Sequence, residues 1–476
     1  MPALSRPIKS KSPEIHLMRS IWAVAVNTIK QAFRLKIVAV FIVLLLVLLP
    51  VMGFKMTGDG TLKGRVQSFI SYGLSLTALL LSLLTIFTAV YTLTRDVKDK
   101  QVYTVLTKPI RRYQFVLGKL VGVIILDIFL LLLFSVIIYA ITVSMPTFIK
   151  ADDAQLAQVR KEFFTARASL IPAVPDISPD VDQAYEKLKQ AGEVPAGVDE
   201  NPLTRHNYRQ ELARRIELRK RAAAVGEELT WEFNNVKLQD PNQSLFVRFK
   251  YDVAVNPPDL QVYGRWTIGD IRQVRLTGVI ETPIYRIDRK DVIRTFREFE
   301  APGDAVAGDG YLALSFINVP LNDTAVIFPL EDGIEVLYKA DTFTANFIRA
   351  VLLVFVRLVF LAALAVFAGS FLSFPVAVLL CLAVFTMASM SGFIFESFGY
   401  LGANVSRIYY YSFKPIVGFL PQFDKYSASG FLVPGRLLSW SLLAKLGFTT
   451  LGLKALPLAL LSLLIFSYRE IAKVIV

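Results

Sequence analysis

Long apolar runs, broken once by a large polar block, constrain this chain more than any other feature. Three such runs precede the roughly two hundred mostly polar residues between Met145 and Phe347, and three follow them. An α-helix rises about 1.5 Å per residue, so about 20 apolar residues cross a hydrocarbon core of about 30 Å. By that measure six spans are expected: Ile37 to Phe54, Phe69 to Leu93, Leu120 to Ser144, Phe347 to Ala368, Pro375 to Phe395, and Leu446 to Tyr468, the last interrupted by Lys454. Hydrophobic residues make up 54% of the 476 residues, more than a soluble domain needs. No cleavable leader is expected, because the first run starts late and lacks a small-residue cleavage site after it.

The net charge of +13 is unevenly spread. Arg6, Lys9, Lys11, Arg19, Lys30, Arg34 and Lys36 precede the first run; Arg95, Lys98, Lys100, Lys108, Arg111, Arg112 and Lys119 lie between the second and third; Arg469 and Lys473 follow the last. Lys and Arg collect on the cytoplasmic side of membrane proteins, so both termini and this loop are expected inside and the polar block outside. The pattern argues for lipid and against nucleic acid as the reason for the charge. Cys381, the only cysteine, lies in an apolar run, which excludes a disulfide framework.

The expected fold class is α-helical membrane protein with six transmembrane helices, arranged 3+3, plus an extracytoplasmic α+β insert with a β-sandwich-like part. Residues 1–36 form a cytoplasmic N-terminus, 37–145 carry spans one to three with a cytoplasmic loop at 94–119, and 347–476 carry spans four to six. Residues 396–445 are too long for a simple loop; Tyr409, Tyr410, Tyr411 and Phe413 beside Arg407 and Lys414 suit a re-entrant or interfacial region. Glu14 to Lys36 reads as an amphipathic helix, with Ile15, Met18, Ile21, Trp22, Val26, Ile29 and Phe33 on one stripe, either lying at the interface or extending span one.

Within the insert, 146–227 reads as helical with a Pro-rich break at Ile171 to Pro179, its best helix being Leu203 to Val225. Residues 228–346 read as β. Leu245, Val247, Phe249, Tyr251 and Val253 alternate with more polar neighbours, and similar short runs recur at Leu260 to Trp266, Ile271 to Ile280, Tyr311 to Val319, Ala325 to Phe328 and Ile334 to Tyr338. Short strands at this spacing suggest a β-sandwich. Trp231 and Trp266 would serve either a sugar-binding platform or core packing.

No phosphate loop of the GxxxxGK[ST] type occurs, and only His16 and His206 are present, so no multi-histidine metal site or nucleotide site is expected in this chain. A membrane-anchored outer enzyme is the weakest reading, because the insert offers no catalytic constellation. Asp127 and Arg357 are costly inside spans three and four and differ in depth by only about 5 Å, so either an ion pair between them, solvation in a wet cavity, or snorkelling by Arg357 is expected. Lys454 is expected to snorkel at the outer edge in preference to contacting a substrate. Ser71, Ser75, Ser82 and Thr85 in span two, with Thr386 and Ser389 in span five, either pack helices closely or line a path.

The segment Thr94 to Gly122, TRDVKDKQVYTVLTKPIRRYQFVLGKLVG, is a short, highly charged connection with a proline in its middle. It resembles the cytoplasmic coupling region of ABC-2-type transporter permeases. The match is carried by Asp96, Thr104, Leu106, Pro109, Ile110, Arg112, Leu117, Gly118 and Lys119, with Arg111 beside them. Ala25 to Lys36 is similar to that family's interfacial entry helix, and Phe347 to Ala377 to its fourth span and the turn after it. The resemblance implies a permease subunit that binds no nucleotide itself, with ATP and Mg in a separate ATPase docked on Asp96 to Lys119. It also implies a second permease copy or paralogue as partner. The family's outer loop between spans three and four is usually short, and here a whole domain stands in its place. That leaves two expectations: an exporter, or a non-transporting mechanotransmitter whose outer domain regulates an extracytoplasmic protein or glycan.

Overall fold

The structure, a computed structural model, describes residues 13–99, 111–149, 151–172, 176–195, 198, 202–236, 238, 243–273, 281–329, 333–394, 412 and 414–468. The chain divides into two compact units, one of Met1–Ala166 with Thr342–Val476, the other Arg167–Asp341.

The first unit is helical. In chain order it holds α1 (Pro13–Phe33), α2 (Lys36–Lys55), α3 (Leu62–Lys98), α4 (Arg112–Phe148), α5 (Asp153–Glu162), α8 (Phe343–Phe371), α9 (Phe374–Ser389), the short α10 (Lys414–Phe419) and α11 (Ala428–Leu432), and α12 (Trp440–Tyr468); α6 and α7 lie in the second unit. Among the described residues five helices, α2, α3, α4, α8 and α12, are long and apolar enough to cross a membrane. Their burial differs in a way that water would not permit. In α3, 72% of the most apolar window is buried, against 17% in α2. Val38, Leu45 and Leu49 are the buried stripe of α2, while Val40, Val43, Leu46, Val47 and Val51 are exposed. A continuous apolar surface of that kind needs lipid around it.

The fifth expected span is broken rather than continuous. α9 has 16 residues, about 24 Å, the helix breaks at Met390, and a further helical turn follows at 391–394, with Phe395 outside the described residues. The Asp424 carboxylate accepts hydrogen bonds from the backbone N–H of Gly392 and from the Ser391 hydroxyl (2.9 Å), while Phe423 N–H donates to Ala388 O at 3.0 Å. Asp424 thereby caps the start of the turn at 391–394, and Phe423 satisfies a carbonyl at the end of α9. The chain then returns through irregular backbone between α10 and α12. Asn346 holds that backbone twice, donating to Arg436 O and accepting from Leu438 N–H, both at 2.8 Å. Gln67 donates to Val433 O at 2.8 Å. Irregular backbone packed among helices persists where its polar groups find such partners. Tyr409, Tyr410, Tyr411 and Phe413 lie outside the described residues.

The α1 helix forms where an amphipathic helix was expected, but the stripe that packs is a different one. Val24, Ala25, Thr28 and Ala32 are buried, whereas Met18, Trp22 and Phe33 are exposed. The small residues let two backbones approach; the large apolar ones are left for a non-aqueous surroundings.

The second unit joins α6 (Ser178–Gln190) and α7 (Pro202–Arg221) to eleven strands: β1 (Thr165–Leu170), β2 (Ala222–Ala223), β3 (Glu228–Phe233), β4 (Ser244–Phe249), β5 (Asp252–Val253), β6 (Gln261–Gly269), β7 (Tyr285–Val292), β8 (Arg297–Pro302), β9 (Leu312–Asn318), β10 (Val326–Ile327) and β11 (Ile334–Thr342). They form sheets ordered β1-β11-β4-β8 and β3-β9-β6-β7, with a small third sheet β2-β10-β5. The two large sheets share one core. Trp266 of β6 is 1% exposed and meets the rings of Phe249 (4.7 Å) and Phe299 (5.6 Å) from the opposite sheet and Phe316 (4.9 Å) from its own. Gly264 is required here, since a Cβ would lie 2.3 Å from the Phe316 ring. Trp266 is therefore a core residue, and Trp231 packs edge-on against Phe328 at 5.0 Å.

Three expectations differ. The stretch read as helical also supplies strand β1. The region at Ile271 is not the start of a strand: Ile271 lies in a turn, and residues 274–280 are outside the described set. Strands β7 and β8 were hidden by their charge. Next to that turn, the Arg272 guanidinium bridges Asp270 (2.8 Å) and Asp309 (2.9 Å) and lies 3.7 Å over the Tyr311 ring.

Candidate functional site

Two places in the helical unit concentrate polar chemistry. The first is the end of the bundle where α3 and α4 are joined by residues 99–111. Asp96, in the last turn of α3, and Lys119, in the second turn of α4, approach to 2.6 Å with side-chain exposures of 5% and 1%. Gln31 of α1 completes the group: its amide donates to Asp96 at 3.1 Å and its carbonyl accepts from Lys119 at 2.8 Å. A buried ion pair persists only when its remaining hydrogen-bonding capacity is met in this way. Alongside, a Cβ on Gly118 would lie 2.5 Å from Val24 Cβ, and one on Gly122 would lie 2.8 Å from Ala25 O. Both glycines let α1 lie directly on α4. Arg112 Nη1 donates to Ser467 O, near the end of α12, at 2.9 Å, satisfying a carbonyl that a helix terminus leaves open.

This arrangement corrects part of the expectation for the loop. Asp96, Gly118 and Lys119 do not face outward to a partner; burial turns them into the fastening of α1, α3 and α4. Arg111 is exposed, with its backbone N–H donating to Gln114 Oε1 at 2.9 Å. Thr104, Leu106, Pro109 and Ile110 lie outside the described residues. Gln31 was missed; the signal for it was the small-residue stripe Val24, Ala25, Thr28 and Ala32 on which it borders.

The second place is mid-bundle. The ion pair expected between Asp127 and Arg357 is not formed. Asp127 accepts from Thr85 Oγ1 at 2.8 Å, and its other oxygen has no hydrogen-bond partner. Arg357 lies between the rings of Phe385 (4.8 Å) and Phe423 (4.9 Å), with Nε likewise unpartnered. Similar position along two helices does not set the direction in which a side chain leaves its helix.

Arg357 instead shares a cavity with Lys454. Each stands fourteen residues beyond the first residue of its helix, about 21 Å along the axis. Both helices run toward the end that holds the ion pair, since Gly369 of α8 meets Leu93 and Ser467 of α12 accepts from Arg112. Lys454 belongs to a π-helical stretch, Phe448–Ala455, inside α12. It does not snorkel: its Nζ donates inward to Leu420 O at 2.9 Å. The cavity has a volume of about 470 Å³ and is lined by Arg357, Lys445, Lys454, Ser75, Tyr426 and Ser429 together with leucines. Among the described residues, no carboxylate lines it.

The proposed path residues do not stay together. Ser75 reaches this cavity and hydrogen-bonds Ser429 at 3.2 Å. Ser82 and Thr85 are buried and bond back to Ala78 O (2.6 Å) and Leu81 O (2.8 Å) in their own helix. Thr386 is exposed and bonds to Leu382 O at 2.9 Å, the Ser389 hydroxyl has no partner, and Ser71 is half-buried.

Compared with family models, with curated proteins and with solved structures, the chain matches none. The five long apolar helices are those an integral membrane protein requires.

Proposed function

We propose that this chain is the permease subunit of an ATP-driven, ABC-2-type transporter, coupled through the segment between α3 and α4 to a separate ATPase. The single observation that carries the reading is the fastening at both ends of that segment. Asp96 ties the end of α3 to α1 and α4, and Arg112 ties the start of α4 to the end of α12. A load applied to residues 99–111 thus enters four helices at once, which is what a coupling element needs. The excess of Lys and Arg at this end supports its placement in the cytoplasm, where ATP is found, and the second unit would then lie outside. The mid-bundle cavity favours transport over a purely mechanical role, because a transmitter has no use for a solvated pocket at that depth.

The test is to tag the chain, purify it gently from native membranes and identify what accompanies it. A co-purifying ATPase is expected, and it should be lost when Leu106, Pro109 and Arg111 are substituted while the chain stays monodisperse. Recovery of an outer-compartment protein with no ATPase would overturn the reading.

A further inference from the structure

The mid-bundle cavity carries more information than its existence. It gathers three cations, two of them deep, and among the described residues no carboxylate lines it. Arg357 and Lys454 sit at one level, about 21 Å into their helices. Charged groups at such depth are costly and face a cavity or a partner. Asp127, which accepts from Thr85, and Asp424, which accepts from Ser391 and Gly392, do not line it. Arg357 makes no ion pair or hydrogen bond within the described residues, its ring partners covering only its faces. Lys445 adds a third cation at the rim, exposed and without an ion pair among the described residues. Hydroxyls from Ser75, Tyr426 and Ser429 supply neutral donors. The other wall is apolar, formed by Leu353, Leu442, Leu446 and Leu453. One π-helical stretch carries Lys454, a distortion that recurs at functional sites.

We propose that this cavity binds a phosphate-bearing anionic amphiphile, its phosphate between Arg357, Lys445 and Lys454 and its alkyl chain along the leucine wall. The guanidinium and the two ammonium groups suit a phosphate's several acceptor oxygens. A free phosphate would leave the leucine wall uncovered, and an uncharged lipid would leave the cations unanswered. A volume of about 470 Å³ holds a head group and the first part of a chain. As a statement about cargo, this rests on the permease reading; as a statement about binding, it is tested apart from it.

The probe is phosphatidylglycerol, compared with phosphatidylcholine of the same acyl chains and with inorganic phosphate. Each is added to the purified full-length chain in mild detergent, and bound molecules are counted by native mass spectrometry. Phosphatidylglycerol is expected to be retained in preference to phosphatidylcholine. Lys445→Gln should weaken it about fivefold and Arg357→Gln with Lys445→Gln about thirtyfold, taking one cation as about a fivefold effect. Because loss of Arg357 risks the fold, Lys445→Glu at the exposed rim serves as the second variant, and it should abolish the preference in a monodisperse protein. Equal retention of the two lipids, or an unchanged preference in Lys445→Glu, overturns the proposal. Inorganic phosphate binding as tightly as the lipid overturns the amphiphile and leaves a simple anion site. Selective lipid binding with no co-purifying ATPase would sink the permease reading and leave this one standing.

Discussion

Lys119 and Asp96 meet at 2.6 Å inside the bundle, on helices joined by the segment that connects α3 to α4. Removing one partner leaves the other charged and buried, so Lys119→Met is expected to destabilise the helical unit by about 3–5 kcal/mol. The double variant Asp96→Leu with Lys119→Met should recover much of that loss, because no charge remains to be desolvated. Thermal unfolding in detergent separates the cases. A double variant as unstable as the single one would show that the pair's value lies in its geometry instead.

Gly122 touches the backbone of α1, with Ala25 O and Thr28 Cβ each 2.8 Å from the position of a Cβ. Neither neighbour can yield easily, one being backbone and the other the branch point of a buried side chain. Gly122→Val should cost about 1–3 kcal/mol by overpacking and loosen α1. Limited proteolysis within residues 13–33 should accelerate. An unchanged cleavage rate would mean that α1 is held by its Gln31 contacts and not by close packing.

In the second unit, Trp266 connects both large sheets through Phe249, Phe299 and Phe316. Trp266→Ala should cost about 3–5 kcal/mol and remove the near-ultraviolet signal of that core. Retention of the signal with a small loss of stability would show that the surrounding phenylalanines close the space.

Asp270 is held below the ordinary carboxyl value of 3.8, chiefly by hydrogen bonds from the Arg272 side chain. A depressed folded value means that the interaction contributes fully above 3.8, where the unfolded chain is also ionised, and is lost as pH falls through the lower folded value. The difference in melting temperature between the native chain and Asp270→Asn should therefore be full near pH 6 and shrink in acid below pH 3.8. A difference that grew on acidification would refute the assignment.

Much of the helical unit was legible because hydropathy over a fixed length is a strong constraint: the runs beginning at Ile37, Phe69, Leu120 and Phe347 all lie within single helices. The fifth run was misread for a specific reason. Its apolar composition runs on past Ser389, but the helix breaks at Met390, where Asp424, a residue far along the chain, binds Ser391 and Gly392 at the start of the next turn. Strands β7 and β8 were missed because their outward positions are charged; Arg265 and Asp288 pair across β6 and β7 at 2.6 Å, and composition alone reads such a strand as loop. The cavity was half visible. Arg357 and Lys454 were recognisable as costly, yet their shared level emerges only when α8 and α12 are placed side by side. Asp127 was paired with the wrong group because Thr85, a neutral hydroxyl, carries no charge to draw notice.

Phe163 and Phe343, which stand where the chain leaves the helical unit and where it returns, lie with ring centroids 5.3 Å apart, and Phe164 is at 5.4 Å from the same ring. The second unit is therefore spliced in at a single doorway. Its removal, with a short turn joining residues 166 and 342, asks no helix of the first unit to move. Viewed this way the β-rich unit is an exchangeable cassette, and a lineage could trade it for another module, or discard it, without redrawing the helical unit.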